Sequence, residues 1–439
     1  MYGVYIGACN GSDTDLIQAT TVLNPKTLAV EAAWSLPYSA STSLNTAYTQ
    51  VLMDTKEVVV STARGTIYNL QESIDAIGSP TINLNRTIDL NSTGVLQGIR
   101  LLQSAEDSDG NVCFTTGALG NVGGPAGDVA ATPTNSIVGY VEPNGNVHSI
   151  EIPNQSIGQW VSLNNNTMYV NTEPSGSDLH DNAVGLLMAF RAGSGTFVDV
   201  VWNAKYDSGS TQRPGALVRG SGTTPGLLSN DFVAITDNSD AQMELVVHAQ
   251  NASGNDVQPV CKIPVLKPNA SWTDNNPMVH FDGKEYGVVI ENTWNVPAYA
   301  DTHTNDTDGS WNNLTAQAPG IQKVAVAADG SGCHIAWTNP GTTTTVPILS
   351  TKNGLLYEYE QDAELAKQGE YVWYATAIDY RSGETFWKVR TGAGGIFNYN
   401  LRTTLLSPEG KLYQMVVGGV VSIKDGDLTG GRYHGGHGW

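Results

Sequence analysis

Long apolar runs are missing from this 439-residue chain. No stretch reaches the roughly 18 consecutive apolar residues that a membrane-spanning helix needs. Helical periodicity is scarce as well, and the best example is the short stretch 359–368. Positive charge is low: 22 Lys and Arg face 42 Asp and Glu, a net charge of −20. Nucleic acid and anionic membranes demand basic patches, so neither is an expected partner. Only four cysteines occur, Cys9, Cys113, Cys261 and Cys333, and they stand far apart. No CxxC or Cys/His cluster suggests zinc. Two disulfides are allowed, with three pairings open, and the alternative is small buried hydrophobes. HxH, HExxH and GxSxG are absent, which removes the signatures of metalloproteases and serine hydrolases.

No Pro/Gly/Ser linker or charge block divides the chain, so residues 1–439 read as one domain with a Gly/His-rich tail at 430–439. Met1 to Gly7 already alternates like a strand rather than a signal peptide, so the chain is either cytosolic or processed. What fills the sequence instead is Gly, Asn, Thr and Ser around many short alternating runs, the composition of an all-β fold. One hairpin device recurs. Leu23–Thr27 leads to Trp34, Phe190–Gly195 to Trp202, Ala328–Gly332 to Trp337, and Asp379–Gly383 to Trp387. In the last of these a strand ends near Ile378, a tight turn carries its Gly at 383, and a second strand begins at Thr385. A ring of such units is expected.

The stretch Ala377-x-Asp379-x-x-Ser382-Gly383-x-x-x-Trp387 resembles the tryptophan-docking motif of the quinoprotein-alcohol-dehydrogenase-like (PQQ-like) β-propeller superfamily, with Ser382 for the usual Thr and Glu384 for the usual Lys. The resemblance implies a propeller in which Trp387 is buried between neighbouring blades while Ala377, Asp379 and Gly383 hold the docking turn. It implies a fold and not an activity. The adjacent Cys pair of many quinoprotein dehydrogenases is missing, so no quinone cofactor is expected.

Second strands are expected at Glu57–Ser61, Asn111–Thr116, Thr167–Thr172, Asp231–Thr236, Glu285–Glu291, Leu355–Tyr359 and Lys411–Val417. First strands are expected to begin near Asn45, Val95, Ile157, Gly215, Met278, Val346 and Asn398. This spacing predicts a single β-propeller of seven four-stranded blades, with eight as the alternative count. Gly3–Pro37 and Ile396–Lys424 both look like incomplete units, so the ring should close with N- and C-terminal strands.

Two insertions, 117–135 and 292–320, interrupt the short turns, and long loops on a rigid ring commonly carry function. The second holds Asp301, Asp306 and Asp308, an acidic loop that suits Ca²⁺ through its hard oxygen ligands, although its spacing departs from an EF-hand. No other cofactor is expected. Asp178-Leu-His180-Asp181 pairs a histidine with carboxylates, the elements of a general base, but reads more simply as turn chemistry. Asp107 to Gly110 reads as a β-turn. His148, His248, His280 and His334 fall in expected strands, where structural roles are usual. Trp272, Trp294 and Trp311 lie near the second insertion, suited either to stacking on sugars or to packing between blades.

Nine Asn-x-Ser/Thr sequons stand at Asn10, Asn85, Asn91, Asn154, Asn165, Asn251, Asn269, Asn305 and Asn313. Together with acidity and low Lys content they point to an extracellular, glycosylated chain. The tail Gly430–Trp439, with His434 and His437, loses much entropy on ordering. It is expected to be held by its own ring or by a neighbouring subunit, giving a homo-oligomer or filament. Two functions fit. One is a non-catalytic extracellular binding or self-assembly module. The other is a secreted carbohydrate-active enzyme, a lyase or hydrolase, with His and carboxylates at the central face.

Overall fold

The computed structural model describes residues 2–8, 16–37, 44–45, 49–117, 134–178, 183–193, 197–216, 218–297, 309–399 and 403–425. Short alternating segments pair with the next segment in the chain, so every sheet is an antiparallel meander. Seven blades follow one another. Blade 1 is Gln50–Leu52, Glu57–Ser61, Thr66–Ile74 and Pro80–Asp89; blade 2 is Leu101–Glu106, Val112–Thr116, Ser136–Val141 and Val147–Ile152. Blade 3 is Ser162–Asn164, Thr167–Pro174, Val184–Ala192 and Val198–Asp207, with the extra pair Gln155–Ser156. Blade 4 is Gly226–Leu228, Phe232–Thr236, Glu244–Ala249 and Cys261–Pro264. Blade 5 is Met278–Phe281, Glu285–Glu291, Ile321–Ala327 and Cys333–Asn339; blade 6 is Ile348–Ser350, Leu355–Gln361, Val372–Asp379 and Thr385–Ala393. Blade 7 has three strands, Thr404–Leu406, Leu412–Val416 and Gly419–Ile423.

A further three-stranded sheet, Tyr2–Ala8, Leu16–Leu23 and Val30–Pro37, packs its outer strand beside that of blade 1. Blade 7 meets the same sheet on its other side: Lys411 Nζ and Tyr413 Oη both donate to Pro25 O at 2.7 Å. The two ends of the chain thus lie in adjacent sheets, and the three-stranded N-terminal sheet, set between blade 7 and blade 1, closes the ring, as the incomplete end units predict. The architecture is a β-propeller, the fold class that the sequence predicts.

Alternation decides which blade each side chain meets. Along the second strand of blade 5, Val288 and Ile290 join the cluster shared with blade 4, while Val289 joins Leu356 and Ile378 of blade 6. Removing each such side chain from water contributes about 1.5–3 kcal/mol. The outermost strands add large aromatics. Trp202 donates its indole N–H to Gln250 O at 3.3 Å, and Trp337 donates to Tyr380 O at 2.9 Å. Each acceptor is the first residue after the third strand of the next blade.

The docking turn is built as its sequence implies. Asp379 Oδ1 accepts from Arg381 N at 3.1 Å and Ser382 N at 2.8 Å, and Gly383 takes φ +76°. Ala377 is buried opposite Trp387. Trp387 itself departs from expectation: it is half-buried, not enclosed. It sits third in an outermost strand and rests against Tyr357 of its own blade, ring centres 5.9 Å apart.

All seven expected second strands appear where the sequence places them. One first strand begins at Met278 as expected, and the other six begin later, at Gln50, Leu101, Ser162, Gly226, Ile348 and Thr404. The residues before them form lead-in loops whose backbone bonds run to side chains, as in Leu44 N to Gln18 Oε1 and Val161 N to Gln103 Oε1.

The meander has a functional consequence. Connections from first to second strand and from third to fourth lie on one face, and most are short. The lead-in loops and the second-to-third connections lie on the other face, here called the loop face. Both insertions expected from sequence, 117–135 and 292–320, leave from the loop face.

Candidate functional site

Acidic side chains collect where second strands run out at the loop face. Glu173 lies near the end of its strand in blade 3, Glu291 ends that of blade 5, and Asp237 follows that of blade 4. Asp274 joins them from the lead-in loop of blade 5, and Glu358 and Glu360 from the second strand of blade 6.

The alternation that sends Val289 toward blade 6 sends Glu291 the same way. Leu356 and Ile378 face back toward blade 5, and so does Glu358, which lies opposite Thr376 in register. Two carboxyls therefore confront each other across one blade interface. Both are buried, Glu291 with 1% and Glu358 with 0% of its surface exposed. Burial raises the pKa of each, and for Glu358 the nearby charges of Glu291 and then Glu360 raise it further. Asn275 Nδ2 lies 3.5 Å from Glu291 Oε2 and donates to Thr344 O at 3.0 Å. Glu360 differs, because Lys388 Nζ stands 3.0 Å from its Oε2.

A second group spans blades 3 to 5. Gln159, in the lead-in loop of blade 3, donates through Nε2 to Asp274 Oδ1 at 2.7 Å. The bond passes over the intervening blade 4 and ties two lead-in loops at the centre of the loop face. Asp274 keeps part of its surface open, yet enclosure by protein pushes its carboxyl up to about 7. Glu173 is raised well above the carboxylate range by burial, with the charge of Asp274 adding to the effect. Asp237 is raised by burial against bonds from Ser239 Oγ at 2.6 Å and Glu244 N at 2.7 Å.

Burial in low dielectric favours the neutral form of Glu173, Asp237, Asp274, Glu291 and Glu358. The partners of these acids are mostly amides and hydroxyls, with Lys388 at Glu360 and Lys262 Nζ 3.5 Å from Asp237 Oδ2 as the cations. Among the described residues no three His, Cys, Asp or Glu side chains are grouped to hold a metal.

The sequence candidates fall elsewhere. Asp301, Asp306 and Asp308, the proposed Ca²⁺ ligands, lie outside the described residues, as do His180, Asp181, His303, His434, His437 and the tail 430–439. Asp107 N bonds Asn111 O and Gly110 N bonds Asp107 O, the expected turn. His148 is held by Phe197 O at 3.2 Å and Glu142 Oε1 at 2.9 Å. His248 stacks on Trp202, and burial pushes its pKa down to about 4, so it is neutral. Trp272 is fully buried between the lead-in loops of blades 4 and 5, its indole N–H donating to Gly220 O at 3.4 Å, while Trp294 is half-buried. Of the sequons, Asn85, Asn91, Asn165, Asn251 and Asn269 are exposed, Asn154 and Asn313 are half-buried, and Asn10 and Asn305 lie outside the described residues.

Sequence reading missed the buried acids. One signal was present, the recurrence of acid then Asn where a second strand ends, Asp237-Asn238 and Glu291-Asn292. In both, the Asn amide donates to loop carbonyls, Ser208 O at 2.7 Å and Ala270 O at 2.8 Å. Cysteine pairing was also open from sequence. Cys261 and Cys333 form a disulfide between the outermost strands of blades 4 and 5, and Cys113 is free and buried.

No family model matches the chain. An uncharacterized protein of Archaeoglobus fulgidus is 24% identical over 245 residues, covering 52% of this chain and 46% of that protein. This chain thus spans under half the length of that relative. Two solved structures are similar in fold. Sqt1 from Chaetomium thermophilum has a TM-score of 0.52 at 9% identity, covering 96% of this chain and 92% of that one. Quinohemoprotein alcohol dehydrogenase from Comamonas testosteroni has a TM-score of 0.50 at 11% identity, covering 95% of this chain and 70% of that one. At these identities the likeness concerns the fold alone. No helix among the described residues is long and apolar enough to cross a membrane.

Proposed function

We propose that this chain is a non-catalytic propeller that works outside the cell as a binding or self-assembly module. The observation that carries the reading is the Gln159–Asp274 bond at the centre of the loop face. A propeller enzyme working at that centre needs an open cleft with charged groups aimed at substrate. Here the acids are drawn into contacts between blades. The outermost-strand disulfide Cys261–Cys333 supports an oxidising compartment, and exposed sequons support glycosylation. Assembly is the finer form of the reading, with the tail 430–439 linking one copy to the next as a homo-oligomer or filament. Ca²⁺ on the 301–308 loop is a further possibility of the same exterior setting.

One observation favours the rival reading, a secreted lyase or hydrolase acting on glycans. Asp274 is partly accessible and protonated near neutrality, the state a general acid needs. The experiment is to incubate the native protein with a panel of acidic and neutral polysaccharides and follow the release of new chain ends. The module reading expects none. Release that disappears in Asp274→Asn would replace it with the enzyme reading.

A further inference from the structure

We infer that blades 5 and 6 enclose a site for one calcium ion, built from side-chain oxygens of Glu291, Glu358, Gln317, Thr345 and Thr376. The site is separate from the acidic loop 301–308, and it stands whether the chain is a binding module or an enzyme. The facing pair Glu291 and Glu358 does not carry the inference alone. The neutral side chains gathered with the pair do.

Six oxygens at this one interface are buried and have no hydrogen-bond partner. They are Glu291 Oε1, both carboxyl oxygens of Glu358, Gln317 Oε1, Thr345 Oγ1 and Thr376 Oγ1. Gln317 is the most open of the five side chains, with 4% of its surface exposed. Leaving even one such oxygen unsatisfied is costly, so six together call for a ligand.

Neighbouring contacts bring them to one place. The charge of Glu291 acts on Glu358 across the blade interface. Thr376 stands directly opposite Glu358 in the ladder, so the two side chains share a face. Gln317 Nε2 donates at 2.8 Å to Asn292 O, next to Glu291, and at 2.8 Å to Thr343 O, in the lead-in loop of blade 6. These two donations fix the orientation of the amide and leave its oxygen at the same junction. Asn275 Nδ2, 3.5 Å from Glu291 Oε2, donates to Thr344 O at 3.0 Å and holds the loop carrying Thr345 beside Glu291.

Among the described residues, no cationic side chain pairs with Glu291 or Glu358. Lys388 is bonded to Glu360 instead. The Thr343 hydroxyl near Glu358 gives its proton to Tyr359 O at 2.8 Å. What the group offers is lone pairs on hard oxygens. A divalent cation uses these without needing any acceptor in return, and two carboxylates cancel its charge. Six oxygens lie in the range of about 6–8 that Ca²⁺ takes, whereas Mg²⁺ usually keeps several waters and suits an enclosed protein set poorly. Only two of the ligands are acids, and the rest are an amide and two hydroxyls.

The test is native mass spectrometry of the full chain, prepared in calcium near neutral pH and freed of loosely held ions. The variant Glu291→Gln/Glu358→Gln should hold one calcium fewer than the parent. A parent that holds no calcium overturns the inference, and so does a double variant that holds as much as the parent. Loss confined to Asp306→Asn/Asp308→Asn places the ion in the acidic loop and overturns it as well. Thr376→Val guards against a misfolded double variant, because it is nearly isosteric and leaves both carboxyls in place. Calorimetric titration of chelator-stripped protein should show its calcium Kd raised at least about tenfold. An unchanged Kd overturns the ligand set.

Discussion

Trp337 of blade 5 occupies the space that a side chain at position 383 of blade 6 would need. A Cβ at Gly383 would lie 2.6 Å from the Cδ2 of Trp337, and the indole N–H reaches past it to Tyr380 O. The docking turn therefore receives the tryptophan of the preceding blade, while its own Trp387 lies on the far strand. Gly383→Ala must place a methyl group both at positive φ and against the indole. It should cost about 1–3 kcal/mol from overpacking, plus the backbone penalty. Trp337→Ala should cost about 3–5 kcal/mol as a buried aromatic, and Trp387→Ala clearly less. Denaturant unfolding of the three variants checks the order.

Asp274 gives stability a pH dependence of definite sign. Its carboxyl titrates near 4 in an unfolded chain and at about 7 in the fold. Between these values the folded state keeps a proton that the unfolded state has lost. The contribution is fully present below about pH 4 and is lost as pH rises through 7. Asp274→Asn should flatten this fall relative to the parent. Melting temperatures of both proteins across pH 4 to 8 check it. A parent curve no steeper than the variant contradicts the raised pKa.

The Cys261–Cys333 bond closes a separation of 72 residues and staples two outermost strands. Reducing it should lower stability by about 2–4 kcal/mol. Cys113, buried and with its thiol pKa raised by burial, should react only after unfolding. Thiol labelling of the folded protein with and without reductant checks both statements.

The exterior reading predicts where glycans sit. Asn85, Asn91, Asn165, Asn251 and Asn269 should carry them before half-buried Asn154 and Asn313 do. Glycopeptide mapping of protein from its native source checks the order. A native protein bare at every one of these positions contradicts the glycosylation reading.

The sequence made the second strands plain, because residues such as Glu285–Glu291 alternate and are bounded by turn residues on both sides. The first strands were harder. Gln50–Leu52 and Ser162–Asn164 are three residues long, too short to show a period. Glu173, Glu291 and Glu358 carry no local mark in the sequence that sets them apart from other acids, yet all three are buried. Their burial comes from the neighbouring blade, and nothing local records which face the neighbour covers. The Cys261–Cys333 pairing likewise depends on two blades lying side by side.

The most direct test of the assembly account is the solution mass of the native protein by light scattering, alongside a variant lacking residues 430–439. The account predicts a mass that is a multiple of the 46.6 kDa chain, falling to the single-chain value on deletion. A full-length protein that already runs at the single-chain mass across working concentrations would contradict it.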